Sequence, residues 1–232
     1  MKKRISIILV SLLSIASTSL HAQEFFSTED APSFITFGAR LGFNTSNRTF
    51  PKGAFNLYNH NSWGTGFNAG IIANLNFKEY LSLQPGLFFE SRSGNFSYVT
   101  DYLDYSGNVR DHYEMGHWRG YYFTVPFMGI VKFNLAENIK WSVEFGPYVQ
   151  FSLKQTGQNN VTILERLPLS ETYNQYTASL NKVDFGFKMG SGLTLFQHYY
   201  VGFHYLGGAC NAWGHPSGGK NKSWTFTVGY DF

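Results

Sequence analysis

Eight stretches of this chain alternate between apolar and non-apolar residues, and one of the two phases is almost free of charge. The approximate spans are 34–44, 65–76, 80–92, 119–134, 139–153, 181–195, 198–208 and 223–232. In the last, Trp224, Phe226, Val228, Tyr230 and Phe232 alternate with Thr225, Thr227, Gly229 and Asp231. Side chains of a strand point alternately to opposite faces, so a period of two describes a strand whose faces meet different surroundings. Helices are thereby excluded as the main architecture.

The connections alternate too. Short ones fall near 77–79, 135–138 and 196–197, and long polar ones cover 45–64, 93–118, 154–180 and 209–222. Alternating short turns and long loops around an even number of strands predict an eight-stranded antiparallel up-and-down transmembrane β-barrel.

A soluble barrel also has one apolar and one polar face, so the phases must be told apart by content. The strand charges Arg40, Glu90, Arg92, Lys132, Glu144, Asp184, Lys188 and Asp231 share the phase that holds most strand glycines. Small residues suit the narrow interior of an eight-stranded barrel. The other phase is crowded with rings, Phe123, Phe127, Phe133, Trp141, Phe145, Phe151, Phe185, Phe187, Phe203 and Trp224 among them, too many for one small interior. This phase is expected to face outer-membrane lipid. Composition agrees: 19% of the 232 residues are aromatic and 14% charged, against about 25% charged in soluble domains. Aromatic girdles are expected at the turn ends (Phe77, Tyr80, Phe133, Trp141, Phe196, Tyr199, Tyr230, Phe232) and at the loop ends (Trp118, Tyr121, Phe151, Tyr205, Trp224). Pro85, Pro126 and Pro147 fall inside strands; each removes a ladder donor, so bulges or kinks are expected there.

Met1-Lys2-Lys3-Arg4, the apolar run Ile5 to Ile15 and the small residue Ala22 have the layout of a secretory signal, with cleavage expected after residue 22. Residues 23–33 form a short lead and 34–232 the barrel domain. The signal carries three of the 18 basic residues. The remaining 15 match the 15 acidic ones, so a basic nucleic-acid surface is not supported. The lone Cys210 forms no internal disulfide. With an even strand count, both termini are expected on the periplasmic side of a Gram-negative outer membrane.

Several stretches resemble the PorT-like outer-membrane β-barrel family common in Bacteroidetes: FGARLGFNTS (37–46), GFNAGIIANLNFKEYLSLQPGLFFESRSG (66–94), YYFTVPFMGIVKFNL (121–135), WSVEFGPYVQFSL (141–153), VDFGFKMGSGLTL (183–195) and FTVGYDF (226–232). The resemblance implies an eight-stranded barrel without catalytic residues, and it supplies precedent for the three prolines. Because the name-giving member serves a secretion and gliding apparatus, it also suggests secretion-complex proteins as partners. Val228, Tyr230 and Phe232 resemble the terminal signature read by the barrel-assembly machinery.

Four candidate chemistries follow. The eight inward charges balance, four of each sign, and buried charges are tolerable when paired. They are expected to form a network that plugs the lumen of a monomer. Asp111-His112-Tyr113-Glu114-Met115-Gly116-His117 holds metal-ligand types at no standard spacing. His60, Ser62 and Asp101 supply the types a lipid acyltransferase uses, without a Gly-x-Ser-x-Gly elbow. Tyr98, Tyr102, Tyr105, Tyr113, Tyr173 and Tyr176 give the long loops a recognition-like composition. No phosphate loop or CxxC occurs, so no cofactor is expected. The leading expectation is a non-enzymatic structural or surface-interaction protein, followed by an accessory role in a secretion or surface-assembly complex.

Overall fold

The computed structural model describes residues 25–49, 58–103, 109–163, 170–176, 182–211 and 219–232. Its strands are β1 (Ile35–Thr49), β2 (Tyr58–Asn76), β3 (Leu81–Leu103), β4 (Val109–Ala136), β5 (Ile139–Ile163), β6 (Ser170–Tyr176), β7 (Val183–Leu195), β8 (Tyr199–Asn211) and β9 (Lys220–Asp231). Every pairing is antiparallel. The order β4-β3-β2-β1-β9-β8-β7-β5, closed by β4 on β5, makes an eight-stranded barrel. The seven-residue β6 pairs with the outer part of β5 (Gly157 to Thr162), beyond the rungs on which β5 meets β7.

The phases divide as their chemistry requires. Phe37, Leu41 and Phe43 stand 60–63% exposed on the outside of β1, whereas Arg40 and Asn44, on its other face, are at most 5% exposed. β7 repeats this, with Phe185, Phe187 and Met189 outward and Asp184 and Lys188 buried. Outward rings stack across strands, Phe145 on Phe187 at 5.7 Å and Phe203 on Trp224 at 5.1 Å between centroids. Such pairs add about 0.5–1.5 kcal/mol beyond the area they cover.

Strand lengths depart from expectation. In place of the long loop expected over 93–118, β3 and β4 stay paired as far as Leu103↔Val109, and β5 runs to Ile163. A β-strand needs about 9–11 residues to cross a bilayer, so the 28-residue β4 and its partners rise well beyond one. On that side β2 (from Tyr58), β3, β4, β5 and β6 form a projecting sheet, whereas β1, β8 and β9 end lower. Beyond the bilayer no lipid requires one face of a strand to be apolar, so the alternation fades there.

At the prolines the expected bulges do not form. Register is unbroken through Pro85, Pro126 and Pro147. Beside Pro85 and Pro126 the ladder skips two rungs, from Pro85↔Phe127 to Phe88↔Thr124 and from Pro126↔Tyr148 to Gly129↔Phe145, and resumes in the same register. A missing N–H costs local rungs without inserting a residue. The register shifts lie elsewhere, at Trp63/Asn68, Tyr121/Tyr122, Asn134/Ala136, Gly157/Asn159 and Gly207/Asn211.

Residues 25–33 lie across the turn end of the barrel. The Asn134 amide donates to the Phe25 carbonyl at 3.0 Å and the Glu79 amide to the Glu29 carbonyl at 3.0 Å. Phe25 stacks on Phe133, and the Phe26 ring lies tilted against Tyr80. Lys78 bonds Asp30 at 2.5 Å.

Candidate functional site: the polar lumen

The lumen is built from side chains two residues apart, which share a face of a strand. Glu90 and Arg92 on β3 pair with each other this way, buried. Arg40 on β1 reaches Asp231, one diagonal along β9, at 2.7 Å. The Arg40 guanidinium also lies 4.2 Å from the ring centroid of Tyr200.

A second group centres on Glu144. Its Oε1 accepts from Ser142 Oγ and from the Tyr200 hydroxyl, both at 2.8 Å, and its Oε2 lies 2.8 Å from His204 Nε2. Glu144 is on β5 and His204 on β8, with β7 between them. They meet because the residue on the intervening rung is Gly190, opposite both. A Cβ there would lie 2.8 Å from His204 Cγ and also against the Phe203 carbonyl. Two rungs on, Gly192 leaves room for the Tyr200 ring: a Cβ there would be 2.5 Å from Tyr200 Cε2. Two glycines of β7 thus open a groove through which β5 and β8 join.

The other inward charges are held by neutral groups. Asp184 accepts from Asn221 Nδ2 at 3.2 Å and from the Cys210 amide at 3.1 Å. The Lys188 ammonium lies 4.8 Å from the Phe88 ring centroid. Lys132 donates to Asn76 Oδ1 at 3.0 Å. Balanced charge therefore does not become four ion pairs: among the described residues, Arg40 with Asp231 and Arg92 with Glu90 form the pairs within this set of eight.

Sequence reasoning missed the upper layer. Arg48, assigned to a loop, is 1% exposed, donates to Gln155 Oε1 at 2.6 Å and to Asn221 Oδ1 at 3.1 Å, and stacks over Trp118 at 3.9 Å. Trp118, expected in the loop-end girdle, is 3% exposed and faces inward. Its parity gives the reason: on β4 it shares the face of Tyr122, Met128 and Ile130, all buried. Counting inward from those residues would have placed it correctly.

Val228 and Tyr230 point outward on β9, and Phe232 follows with its amide on the Phe37 carbonyl at 2.8 Å. His117 Nδ1 lies 2.8 Å from Asn95 Oδ1. The side chains of His60, Asp101, residues 111–116, Tyr98, Tyr102, Tyr173 and Tyr176, and residue Tyr105 altogether, lie outside the described residues. Ser142, His204 and Glu144 have the composition of a hydrolytic triad. The serine, however, donates to the glutamate and not to the histidine, so no nucleophile–base pair exists there.

A closed antiparallel barrel with a polar interior and an aromatic exterior defines an outer-membrane β-barrel protein. Residues 21–208 match the model of the outer membrane protein beta-barrel domain, and the chain belongs to that family. Among solved structures it is similar to Ail, the attachment invasion locus protein of Yersinia pestis, in complex with the heparin analogue sucrose octasulfate (12% identity, TM-score 0.40, 86% of this chain and 100% of that one). It is also similar to OprG of Pseudomonas aeruginosa (11%, TM-score 0.39, 90% and 99%) and to Neisserial surface protein A (11%, TM-score 0.38, 84% and 95%). No curated protein matches the sequence.

Proposed function

We propose that this chain is a non-enzymatic, PorT-like outer-membrane protein whose plugged barrel holds a projecting sheet and its loops at the cell surface for interaction with another macromolecule. Both termini face the periplasm, and the signal at 1–22 directs export. The observation that carries the reading is the contrast between the two ends. The turn end has tight connections, whereas β2 to β6 extend far past any bilayer at the loop end. A strand that only had to cross would stop after about 9–11 residues. Across the lumen the Arg48–Gln155–Asn221 layer, the Glu90–Arg92 pair and the Glu144 group lie one below another, which supports a plug over a channel. The barrel anchors and the sheet presents.

Two measurements test this. Purified protein in planar bilayers is expected to give no steady conductance; stable channels would refute the plug. In mild-detergent extracts of the native organism, the protein is expected to retain a surface partner that is lost when the sheet is trimmed at the Asn95↔His117 rung. Retention of every partner after trimming would overturn the presenting role. A partner recovered at fixed stoichiometry together with secretion components would instead favour the accessory role.

A further inference from the structure

Below Glu144 the lumen is not filled. A cavity of about 290 Å³ opens toward the turn end, walled by Arg40, Gln84, Lys132, Ser142, Tyr200 and Asp231, with Ala31–Ser33 of the lead at its mouth. Most charges around it already have partners. Arg40 is matched by Asp231 at 2.7 Å, Lys140 by Glu79 at 3.5 Å and Lys78 by Asp30 at 2.5 Å, while Glu144 takes its three donors. Lys132 differs. Its ammonium, with three N–H donors, has a single neutral acceptor among the described residues, Asn76 Oδ1, which also accepts from Ser82 Oγ at 2.7 Å. No carboxylate of the described residues comes within ion-pair distance of it.

We propose that this chamber is a binding site for a small monocarboxylate solute, with the Lys132 ammonium as the group that holds the carboxylate. A half-buried cation beside one neutral acceptor gains more from an anion than from a cation or an apolar ligand. Ligand charge is limited by the walls: Glu144, Asp231 and Glu79 line the same chamber, so a second negative charge would meet them. The volume lies at the small end of the range for ligand pockets, which limits the solute to a small organic acid. The proposal draws on the preceding reading only in placing the solute on the periplasmic side. The chamber's chemistry is independent of what the projecting sheet binds.

The test uses the full mature chain folded in detergent micelles, with acetate as probe and sulfate as the dianion. Backbone amide shifts of Lys132, Ser142 and Thr36 are expected to move saturably with acetate, and sulfate to bind at least about tenfold more weakly (a factor that corresponds to about 1.4 kcal/mol). Lys132→Met should weaken acetate by a similar factor, whereas Lys132→Arg, which keeps a cation at the site, should retain saturable acetate binding and the loop-end Lys154→Met should leave the affinity within about twofold. Gel mobility with and without boiling establishes that each variant is folded. Should Lys132→Met fail to fold, the wild-type titration and Lys132→Arg decide. Absence of saturable shifts, equal binding of sulfate, or unchanged affinity in folded Lys132→Met would each overturn the proposal. None of these outcomes bears on bilayer conductance or partner retention, so the two readings fail separately.

Discussion

Glu144 shows how one carboxylate can organise a lumen. It collects Ser142, Tyr200 and His204 from β5 and β8, and hydrogen bonds to charged acceptors contribute about 1.5–3 kcal/mol each where buried. Glu144→Ala leaves three polar groups without their acceptor and is expected to cost about 3–5 kcal/mol, read as a lowered midpoint in urea unfolding from lipid vesicles. Tyr200→Phe removes one donor and should cost about 1 kcal/mol. Were Glu144→Ala to unfold at the wild-type midpoint, the cluster would contribute nothing. Gly190→Val should approach the glutamate variant, because its side chain would push His204 off Glu144. The sequence announced the inward placement of Glu144 and the glycines, since both follow from parity. It did not announce the partner. Which residues meet over Gly190 depends on a rung shared by three strands, and register between strands is not written in the alternation of any one of them.

Elements were legible to the extent that lipid dictates them. Inside the bilayer each strand must keep one face free of charge, and there the alternation located all eight barrel strands. Where the strands leave the membrane that demand ends, so sequence reasoning assigned 45–64 and 93–118 to loop and missed Arg48 and Trp118 as lumen residues. If the projecting part of the sheet is independent of the barrel, replacing residues 96–116 by a short turn should leave the boiling-dependent gel shift intact; loss of the shift would show that the sheet helps the barrel to fold. The lead offers an element-scale pH prediction. The hydrogen bond and charge of Lys78 hold the Asp30 carboxyl below its ordinary 3.8, and Asp30 in turn holds the ammonium above 10.5. The docked lead thus gains from Asp30 above about pH 3.8 and loses that gain as pH falls through the lowered value; the Lys78 contribution is present below 10.5 and lost as pH rises through the raised one. Exchange of the Glu79 amide, bonded to the Glu29 carbonyl, should be slow and flat from pH 5 to 9 after correction for intrinsic rate. Protection should fall off on acidification below that window. A fall centred near neutrality would point to another group.

On the scale of the molecule, the outward face must answer to its solvent. Leu41 sits near the middle of β1, its rung neighbours Ala69 and Val228 also on the outer face, and it is 60% exposed. Phe77 lies at the turn end, just past β2. In water the two positions would be equivalent, and a lysine at either would change stability by no more than about 0.5 kcal/mol. In lipid they differ, because a lysine at the midplane costs about 2–4 kcal/mol and at the interface about 0–1. Leu41→Lys and Phe77→Lys, unfolded by guanidinium from vesicles, should therefore separate by about 2 kcal/mol or more, with Leu41→Ala and Phe77→Ala as references for lost packing. An equal cost at both depths would mean that the ring-covered exterior is not set in a hydrocarbon layer. A difference that shrinks in thinner bilayers would show that depth, rather than local packing, sets the cost, since thinning the layer brings Leu41 nearer to water while leaving its rung neighbours unchanged.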